Sequence, residues 1–486
     1  METHDKYISP LGTRYASHEM SYLFSEEKKF KTWRLLWISL AKAEKKLGLD
    51  ITDEQIADLE KYKDDINFEE ARKREAEVRH DVMSHVYAYG LQATKAAGII
   101  HLGATSCYVG DNTELILMKE ALLLIQTKLL NVINLLATFA GKYKSVPTLG
   151  YTHFQPAQPT TIGKRATLWL YDIYNDYLDL SYVIDTMKFL GSKGTTGTQA
   201  SFVELFSKDG KLTKDVDDAC KKIDELIAED FGFDKNSIVK VSGQTYSRKE
   251  DFKVLSVLSQ IAQSAHKFSN DIRLLAHLKE IEEPFEKNQI GSSAMPYKRN
   301  PMRCERMASL ANYVCVSLSN ASITSSTQWL ERTLDDSANK RISIPECFMA
   351  VDGILNLYMN ICDGLVVNEG MVKKHLDDEL PFMMTENIMM KEVENGASRQ
   401  EVHEIIRKLS MEAGKNVKEG RENNLLDLID KDPNLHINKA ELEKLKDGTL
   451  YIGRAEHQVD DLLNETIKPL LDKNKNKLGL KSNISV

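Results

Sequence analysis

The segment from Gln289 to Pro301 combines residue types that acid–base chemistry on an anionic substrate needs. It reads Q-I-G-S-S-A-M-P-Y-K-R-N-P. Its prolines exclude a regular helix or a central strand, so the pattern predicts a loop. Backbone N–H groups and Lys298 can surround an anion there while a serine hydroxyl faces the same point. The same composition is also typical of a plain connection between helices, and composition alone leaves both interpretations open.

Other polar clusters come directly before helical patterns. Residues 79–81 read Arg-His-Asp, and a turn with Thr105 and Ser106 precedes a long apolar pattern. Such a turn is commonly an N-cap, although its exposed N–H groups can also bind a carboxylate. His153 lies in a segment whose prolines exclude a helix until about Thr161. A lone histidine is usually structural, so its type alone does not assign it a role.

Motifs of unusual length follow one another along the chain. They are R-H-D-V-M-S-H at 79–85, H-L-G-A-T-S-C-Y-V-G-D-N at 101–112, G-Y-T-H-F-Q-P-A-Q-P-T-T at 150–161, G-S-S-A-M-P-Y-K-R-N-P at 291–301 and E-R-T-L-D-D-S-A-N-K-R at 331–341. Together they resemble the fumarase/aspartase superfamily of lyases, over nearly the whole chain. Within it, Ala294, Tyr297 and Arg299 make the loop most similar to that of the adenylosuccinate lyase family. We call residues 289–301 the signature loop.

The resemblance implies a β-elimination that cleaves a C–N bond in an N-succinyl purine nucleotide, or in its imidazole precursor, and releases fumarate. A base removes a proton next to a carboxylate, and an acid protonates the departing nitrogen. By the resemblance, Ser292 is the base and His153 the acid, with His80 as the competing acid. Glu305 would pair with His153 and hold its protonation state. Because a serine hydroxyl is a poor base, loop N–H groups and Lys298 would have to stabilise its alkoxide.

The substrates of this family carry a phosphate and carboxylates, so the resemblance also implies several cations at the site. A single arginine is more often a surface charge, but clustering of arginines after residue 298 in an acidic protein weakens that interpretation. The residues implied in substrate binding are Arg14, Tyr15, Arg79, His80, Asp81, Thr105, Ser106, Gln244, Lys298, Arg306, Arg332, Ser337 and Arg341.

Rival functions remain open. Another lyase of the superfamily, such as an argininosuccinate lyase or a fumarase, would usually carry other residues at positions 294, 297 and 299. A catalytically silent structural protein with the same helical fold is the second rival. The presence of Ser292, His153, Lys298 and Glu305 together argues against it.

Composition limits the partners. The net charge of −8 argues against a general nucleic-acid surface. The six cysteines form no C-x-x-C pair and have no histidine at metal-ligand spacing, so we expect reduced, mostly buried thiols and no metal. No motif suggests an organic cofactor. The N-terminus lacks a basic-then-apolar layout and the apolar runs fall short of a membrane span, so we expect a cytoplasmic protein without a membrane partner.

Long amphipathic helices must position these residues. Apolar residues alternate three and four apart over 114–139 and again over 254–275, and long helices also suit 162–183, 307–323 and 342–361. These patterns predict an all-α fold. We expect three helical domains, with an N-terminal domain at 1–108, a central long-helix bundle at 109–367 that carries the signature loop, and a small C-terminal domain at 368–486. Ser398 and Glu401 match the pattern of a capping box.

The long helices also bear on assembly. Each has an apolar stripe wide enough to need partners on more than one side. We therefore expect the central bundle to pack with copies from other subunits. The resemblance implies a homotetramer with a tetrameric helical core, in which three subunits share each active site.

Overall fold

Helices make up nearly all of the regular structure, as the sequence predicts. The computed structural model describes residues 5–482 and 484, so residues 1–4 of the predicted N-terminal domain, and 483, 485 and 486 of the C-terminal one, lie outside the described residues. The α-helices are α1 His18–Leu23, α2 Glu26–Lys46, α3 Asp53–Lys61, α4 Phe68–Val78, α5 Asp81–Gln92, α6 Ser106–Lys142, α7 Ile162–Thr186, α8 Ala200–Phe206, α9 Lys214–Asp230, α10 Lys249–His277, α11 Met302–Ser326, α12 Asp335–Asp363, α13 Glu369–Met383, α14 Thr385–Glu394, α15 Arg399–Lys418, α16 Leu425–Lys431, α17 Lys439–Leu445, α18 Ala455–Leu462 and α19 Lys468–Lys473.

The long helices α6, α7, α10, α11 and α12 form the centre of the fold. Each contains one of the apolar patterns that predict it. Helix α10 packs along α11, α11 along α12, and α6 along both α7 and α12. The seam residues of α6, such as Leu122, Ile125 and Leu129, are fully buried in this contact. Burying an aliphatic side chain of this size contributes roughly 1.5–3 kcal/mol, so the seams stabilise the bundle.

A β-hairpin interrupts the helices before α7. Strands β1 (Pro147–Thr152) and β2 (Gln155–Thr161) pair in antiparallel register, with Thr152 opposite Gln155. The prolines of this segment therefore keep the chain extended, and the sequence did not predict the pairing. Helix α7 begins at Ile162, where the Thr161 hydroxyl caps it by accepting from the Lys164 N–H at 3.0 Å. The predicted start of this helix is confirmed.

The C-terminal part has a core of its own. Leu376, Ile388, Val402 and other apolar side chains up to Leu442 form a separate buried cluster that also includes Leu149 of the hairpin. Residues after 455 pack back on the main bundle, where Val459 belongs to the principal core. The N-terminal helices share that principal core, and the boundary at 108 falls inside α6. The domain boundaries stay a prediction. Strands β3 (Ile281–Glu282) and β4 (Val366–Val367) pair at the predicted boundary between the central and C-terminal domains.

Sequence expectations about two local features are corrected. Helix α15 begins after Ser398, but the Ser398 side chain makes no capping hydrogen bond, so the capping box with Glu401 does not form. Helices α6 and α12 each contain a stretch long and apolar enough to cross a membrane, so the expectation that every apolar run falls short of such a span is wrong. Within those stretches 56% and 78% of the residues are buried inside the protein, which is typical of core helices.

Candidate active site

A polar cavity lies between α2, α5, α6 and α12. Its volume is about 460 Å³, and the described residues around it carry charges of both signs. Several residues that the sequence predicts for substrate binding line it together, although they come from distant motifs. They are Asp81, Ser106, Arg332, Ser337 and Arg341. The fold of a single chain therefore assembles this part of the predicted site, and we call it the substrate cavity.

His80 lies beside this cavity and is oriented by the start of α5. Its ring is the N-cap of that helix, where Nδ1 accepts from the Met83 N–H at 3.3 Å. In the neutral ring the proton is then on Nε2, which lies 3.3 Å from the Ser106 hydroxyl and donates to it. Thr105 is the N-cap residue of α6, although its side chain makes no capping bond. The 79–81 and 105–106 clusters thus meet at two adjacent helix starts.

Buried ion pairs form the floor of the substrate cavity. Arg248 donates to both carboxylate oxygens of Asp111 at 3.0 and 3.1 Å, and to Asp336 at 2.6 Å. The side chains of Arg248 and Asp336 are 1% and 0% exposed. Lys340 forms an ion pair with Glu114 and lies 3.8 Å from Asp111. This floor joins α6, the start of α10 and α12 through buried ion pairs. Each buried charge is stabilised by its ion-pair partner instead of by water.

Several residues in and beside the floor have pKa values shifted from their ordinary values. Burial alone would lower the pKa of Lys340, but nearby carboxylates, Glu114 first, outweigh it and raise that pKa. Burial would raise the pKa of Asp336, but Arg248, Lys340 and Arg332 together outweigh it, so that this pKa is lowered. Asp251 lies in the same region and differs, since burial raises its pKa to about 6 despite the cations nearby. The floor therefore contains carboxylates with opposite shifts.

Gln244 is held at the cavity by a glycine-rich segment. Its side-chain oxygen accepts from the Cys107 thiol at 3.3 Å, and its side-chain nitrogen donates to the Thr195 carbonyl at 3.2 Å. Gly197 has a φ of +83° and packs so closely on the Ser242 carbonyl that a Cβ would collide with it. The segment 190–199, which the sequence assigns to a plain loop, thus supports the backbone on which Gln244 lies.

The signature loop directs backbone N–H groups at Ser292. The Ser292 hydroxyl oxygen accepts from the Ala294 N–H at 3.3 Å and from the Met295 N–H at 3.1 Å. These donors would stabilise negative charge on that oxygen. The side chain of Asn300 closes the loop by donating to the Gly291 carbonyl at 2.8 Å. Lys298 is exposed in the same loop. The prediction of an irregular loop here is confirmed.

His153 occupies the tip of the hairpin, exposed to solvent. His153 and Phe154 have φ values of +53° and +57°, so both central turn residues adopt the left-handed conformation that usually requires Asn or Gly. The hairpin is tied down next to this turn, where the Tyr151 hydroxyl donates to the buried Glu280 at 3.3 Å. Glu280 also contacts His375 Nδ1 of α13 at 2.8 Å. A strained turn with a firm anchor is a feature of functional sites.

The other predicted residues lie outside the substrate cavity of this one chain. Arg14 and Tyr15 end a π-helical turn that packs against Gly353 of α12. Arg79, with a φ of +55°, ends α4 in an exposed position. Glu305 and Arg306 lie in the first turns of α11, where Arg306 borders a second cavity of about 490 Å³ at the root of the signature loop. Neither Ser292 nor His153 is among the described residues that line the substrate cavity.

Sequence reasoning missed several residues of the cavity. Asp111 and Lys340 lie inside two of the motifs, but the sequence around Lys340 is itself highly charged, so the type of neither residue indicated a buried position. Arg248 lies just before α10 and Lys29 lies in α2, outside every motif. Nothing in their spacing links them to the site. Among the described residues, no group of three or more His, Cys, Asp or Glu side chains could hold a metal ion.

Comparisons with known proteins agree with this architecture. A family model described as Lyase matches residues 19–315, and one described as Adenylosuccinate lyase C-terminus matches residues 381–462. The solved structure of 3-carboxy-cis,cis-muconate lactonizing enzyme from Pseudomonas putida has a TM-score of 0.81 at 22% identity, and covers 94% of this chain and 99% of that one. A fumarate lyase from Mesorhizobium has a TM-score of 0.77 at 21% identity, and covers 93% and 98%. These likenesses confirm the all-α fold.

Relatives of known name are more similar in sequence. Adenylosuccinate lyase of Schizosaccharomyces pombe is 49% identical and that of Saccharomyces cerevisiae 50% identical, each over 97% of both chains. The enzyme of Schistosoma mansoni is 45% identical over the full length of both. The predicted relationship is thereby confirmed, and the chain belongs to the adenylosuccinate lyase family of the fumarase/aspartase superfamily.

Proposed function

We propose that this chain releases fumarate from adenylosuccinate, giving AMP, and from succinylaminoimidazole carboxamide ribotide in purine nucleotide biosynthesis. Family membership supports a C–N lyase of this kind. The observation that carries the chemistry is the pair of N–H groups that Ala294 and Met295 direct at the Ser292 hydroxyl oxygen. An alkoxide in that position is the base that the reaction needs.

The elimination follows from these groups. The Ser292 alkoxide takes the proton from the carbon next to a carboxylate, and the electron pair left behind spreads into that carboxylate. The C–N bond then breaks to form the double bond of fumarate. The departing nitrogen takes a proton from His153. Lys298, exposed in the same loop, would balance the alkoxide charge, and the strained turn at His153 supports its role because strain is kept where function requires it.

His80 is the competing acid, and its geometry supports a role in binding. Its Nε2 proton already has the Ser106 hydroxyl as acceptor, in the cavity that Arg341 and Asp81 line. We therefore assign His80 to substrate binding and not to the acid. A pH–rate profile distinguishes the two histidines. The limb that reports the acid should disappear in His153→Gln and persist in His80→Gln, and the opposite result would reverse the assignment.

Assembly into a homotetramer would complete the site. Helix α7 exposes Leu168, Tyr171, Leu178 and Tyr182 at helical spacing, with Tyr182 68% exposed. Helix α11 exposes a second such stripe at Tyr313, Val316 and Ile323. Exposed apolar stripes on the central helices fit a contact with other copies. That contact would bring the signature loop and the hairpin of different chains to the substrate cavity.

Mixing inactive variants tests the shared site. Ser292→Ala and His153→Gln homotetramers should each retain only a small residual activity, and dissociation and reassociation of the mixture should raise activity well above both, because some sites then receive both native residues. Ser292→Ala mixed with a second Ser292 variant, such as Ser292→Gly, is the control whose activity must not rise. No restored activity in mixed tetramers confirmed by mass spectrometry would contradict sharing between chains.

The substrate is tested by fumarate release. The purified chain is assayed with adenylosuccinate, argininosuccinate and malate, and Ser292→Ala is the control for background turnover. Release from adenylosuccinate alone supports the proposal. Release from argininosuccinate or malate would identify another lyase of the superfamily, and release from none would favour a silent structural protein. The six free thiols suit a reducing compartment, and we propose the cytoplasm, which cell fractionation tests.

A further inference from the structure

Lys29 is a cation that lines the substrate cavity without an ion-pair partner among the described residues. It lies on α2, half-buried, and lines the cavity together with Asp81 and Arg341. The other lysine and arginine side chains of the lining form ion pairs: Arg248 with Asp111 and Asp336, Arg332 with Asp336, Lys340 with Glu114, and Arg341 with Asp81. In the described part of the chain, Lys29 forms no ion pair, and its ammonium group lies 5.2 and 5.0 Å from the ring centroids of Phe30 and Trp33.

Its neighbours on the same helix behave differently. Lys28 pairs with Glu120 at 2.8 Å, and Lys31 pairs with Glu27 at 2.7 Å. Lysines on a soluble helix usually pair or extend into water in this way. Lys29 is instead withdrawn from water beside another cation. Burial lowers its pKa, and Arg341 lowers it further. An anion in the cavity would favour the charged form of Lys29 and so offset the effects of burial and of Arg341.

We infer that Lys29 is a binding residue for the 5′-phosphate of the nucleotide, together with Arg341. This inference rests on the proposed function. A phosphate dianion needs more than one cation nearby, and the floor arginines are already neutralised by buried carboxylates. Arg341 is 59% exposed, and its nitrogen lies 3.2 Å from the Asp81 carboxylate. Because this ion pair is open to solvent, a phosphate can replace Asp81 as the partner of Arg341. Ser337 adds a hydroxyl donor in the same lining.

The test compares Lys29→Met with Lys28→Met in the full-length protein. Lys29→Met keeps the length of the side chain and removes its charge, whereas Lys28→Met removes a charge that is paired with Glu120 outside this cavity. AMP and adenosine are titrated by calorimetry, since they differ only by the phosphate. For Lys29→Met we expect AMP to bind about 10- to 100-fold more weakly and adenosine to bind as in the wild type. Lys28→Met should match the wild type for both.

Kinetics supply a second measurement. KM for adenylosuccinate should rise about as much as the AMP dissociation constant in Lys29→Met, while kcat stays within about twofold, because the phosphate is remote from the bond that breaks. Lys29→Arg, which keeps the charge, should restore most of the affinity for AMP. If Lys29→Met does not fold, the same comparison is made with Lys29→Gln and Lys29→Arg.

The outcomes separate this inference from the function that it deepens. Wild-type protein that binds AMP but releases no fumarate would overturn the proposed function, and the AMP titrations would still decide the role of Lys29. Active wild-type protein with equal AMP affinity in Lys29→Met and Lys28→Met would overturn the role of Lys29. Equal weakening of AMP and adenosine would do the same, since it would indicate a packing role.

Discussion

The floor of the substrate cavity and the signature loop hold polar groups in opposite ways. In the floor, Arg248, Asp111 and Asp336 are almost fully buried, and Arg248, just before α10, pairs with both carboxylates, on α6 and α12. In the loop, Ser292 is half-buried, Lys298 is exposed, and the hydrogen bonds of the Ser292 hydroxyl are local, to residues two and three positions on. The floor is fixed by tertiary contacts, and the loop by its own backbone.

The difference indicates whether a change in each region affects folding or catalysis. A buried charge depends on its partners, so a change in the floor acts on folding before it acts on catalysis. A local turn contributes little to global stability, so a change in the loop acts on catalysis alone. The cavity that binds the substrate would then be formed within one chain. The chemical step would depend on Ser292 and His153, which do not line that cavity in the same chain.

The largest effect is expected for Ser292→Ala. Removal of the proposed base should lower kcat by about 10³-fold or more, since general acid–base groups contribute up to about 10⁴-fold. The free energy of unfolding should stay within about 0.5 kcal/mol of the wild type, because among the described residues the hydroxyl bonds only within its own turn. Steady-state kinetics and urea unfolding measure the two effects.

Ser293→Ala is the matched control for this prediction. Ser293 is the adjacent serine and is exposed. Its variant should keep kcat within a few-fold of the wild type. Loss of turnover in Ser293→Ala and not in Ser292→Ala would move the base by one position.

Arg248→Met should produce the opposite pattern in the floor. The variant leaves Asp111 and Asp336 buried without the cation that pairs them, which typically costs about 3 to 5 kcal/mol of stability. We expect a large decrease in the urea midpoint of unfolding, with activity lost in proportion to the unfolded fraction. Lys253→Met, which breaks a partly exposed pair with Glu250 in α10, should change stability by less than about 1 kcal/mol.

Gly291→Ala tests whether the loop conformation itself matters. A Cβ at this position would collide with the Lys298 carbonyl oxygen, so the backbone that carries Ser292 and Lys298 must shift. We expect kcat to fall about 10- to 100-fold with little change in stability, because misplaced catalytic groups lose rate steeply. Gly414→Ala, in α15 with nothing near its Cβ position, is the control and should keep full activity. Equal kcat in both variants would contradict this role of the loop.

The sequence predicts the bundle better than the site because the two depend on different distances along the chain. The seam from Leu115 to Phe139 repeats locally, and so predicts α6 directly. The pairs of Arg248 with Asp111 and Asp336 span 137 and 88 positions, and no local pattern indicates them. The hairpin escaped prediction because its proline-rich strands lack the usual alternation. The motif resemblance supplied candidate residues, and the fold decided which of them share a cavity.

The smallest effect is expected from pH, and it divides the floor itself. Burial raises the pKa of Asp251 to about 6, so the folded protein keeps this proton up to that pH, whereas the unfolded chain loses it near 4. Stability from this group therefore falls as pH rises from about 4 to 6 and is constant above. Asp251→Asn keeps an oxygen for the Tyr246 hydroxyl, which now donates at 2.6 Å, and should be stabilised relative to the wild type by about 1 to 3 kcal/mol more at pH 7.5 than at pH 4.

Asp336 should give the opposite sign. Its pKa is lowered, so its contribution to stability is present above the pKa of the unfolded chain, near 4, and is lost as pH falls through its lower folded value. Asp336→Asn should therefore be destabilised relative to the wild type at pH 7.5, and the deficit should shrink as pH falls below about 4. Urea unfolding of both variants and the wild type at these pH values measures the difference. If the two variants shifted stability in the same direction, the pKa values of Asp251 and Asp336 would not be shifted in opposite directions.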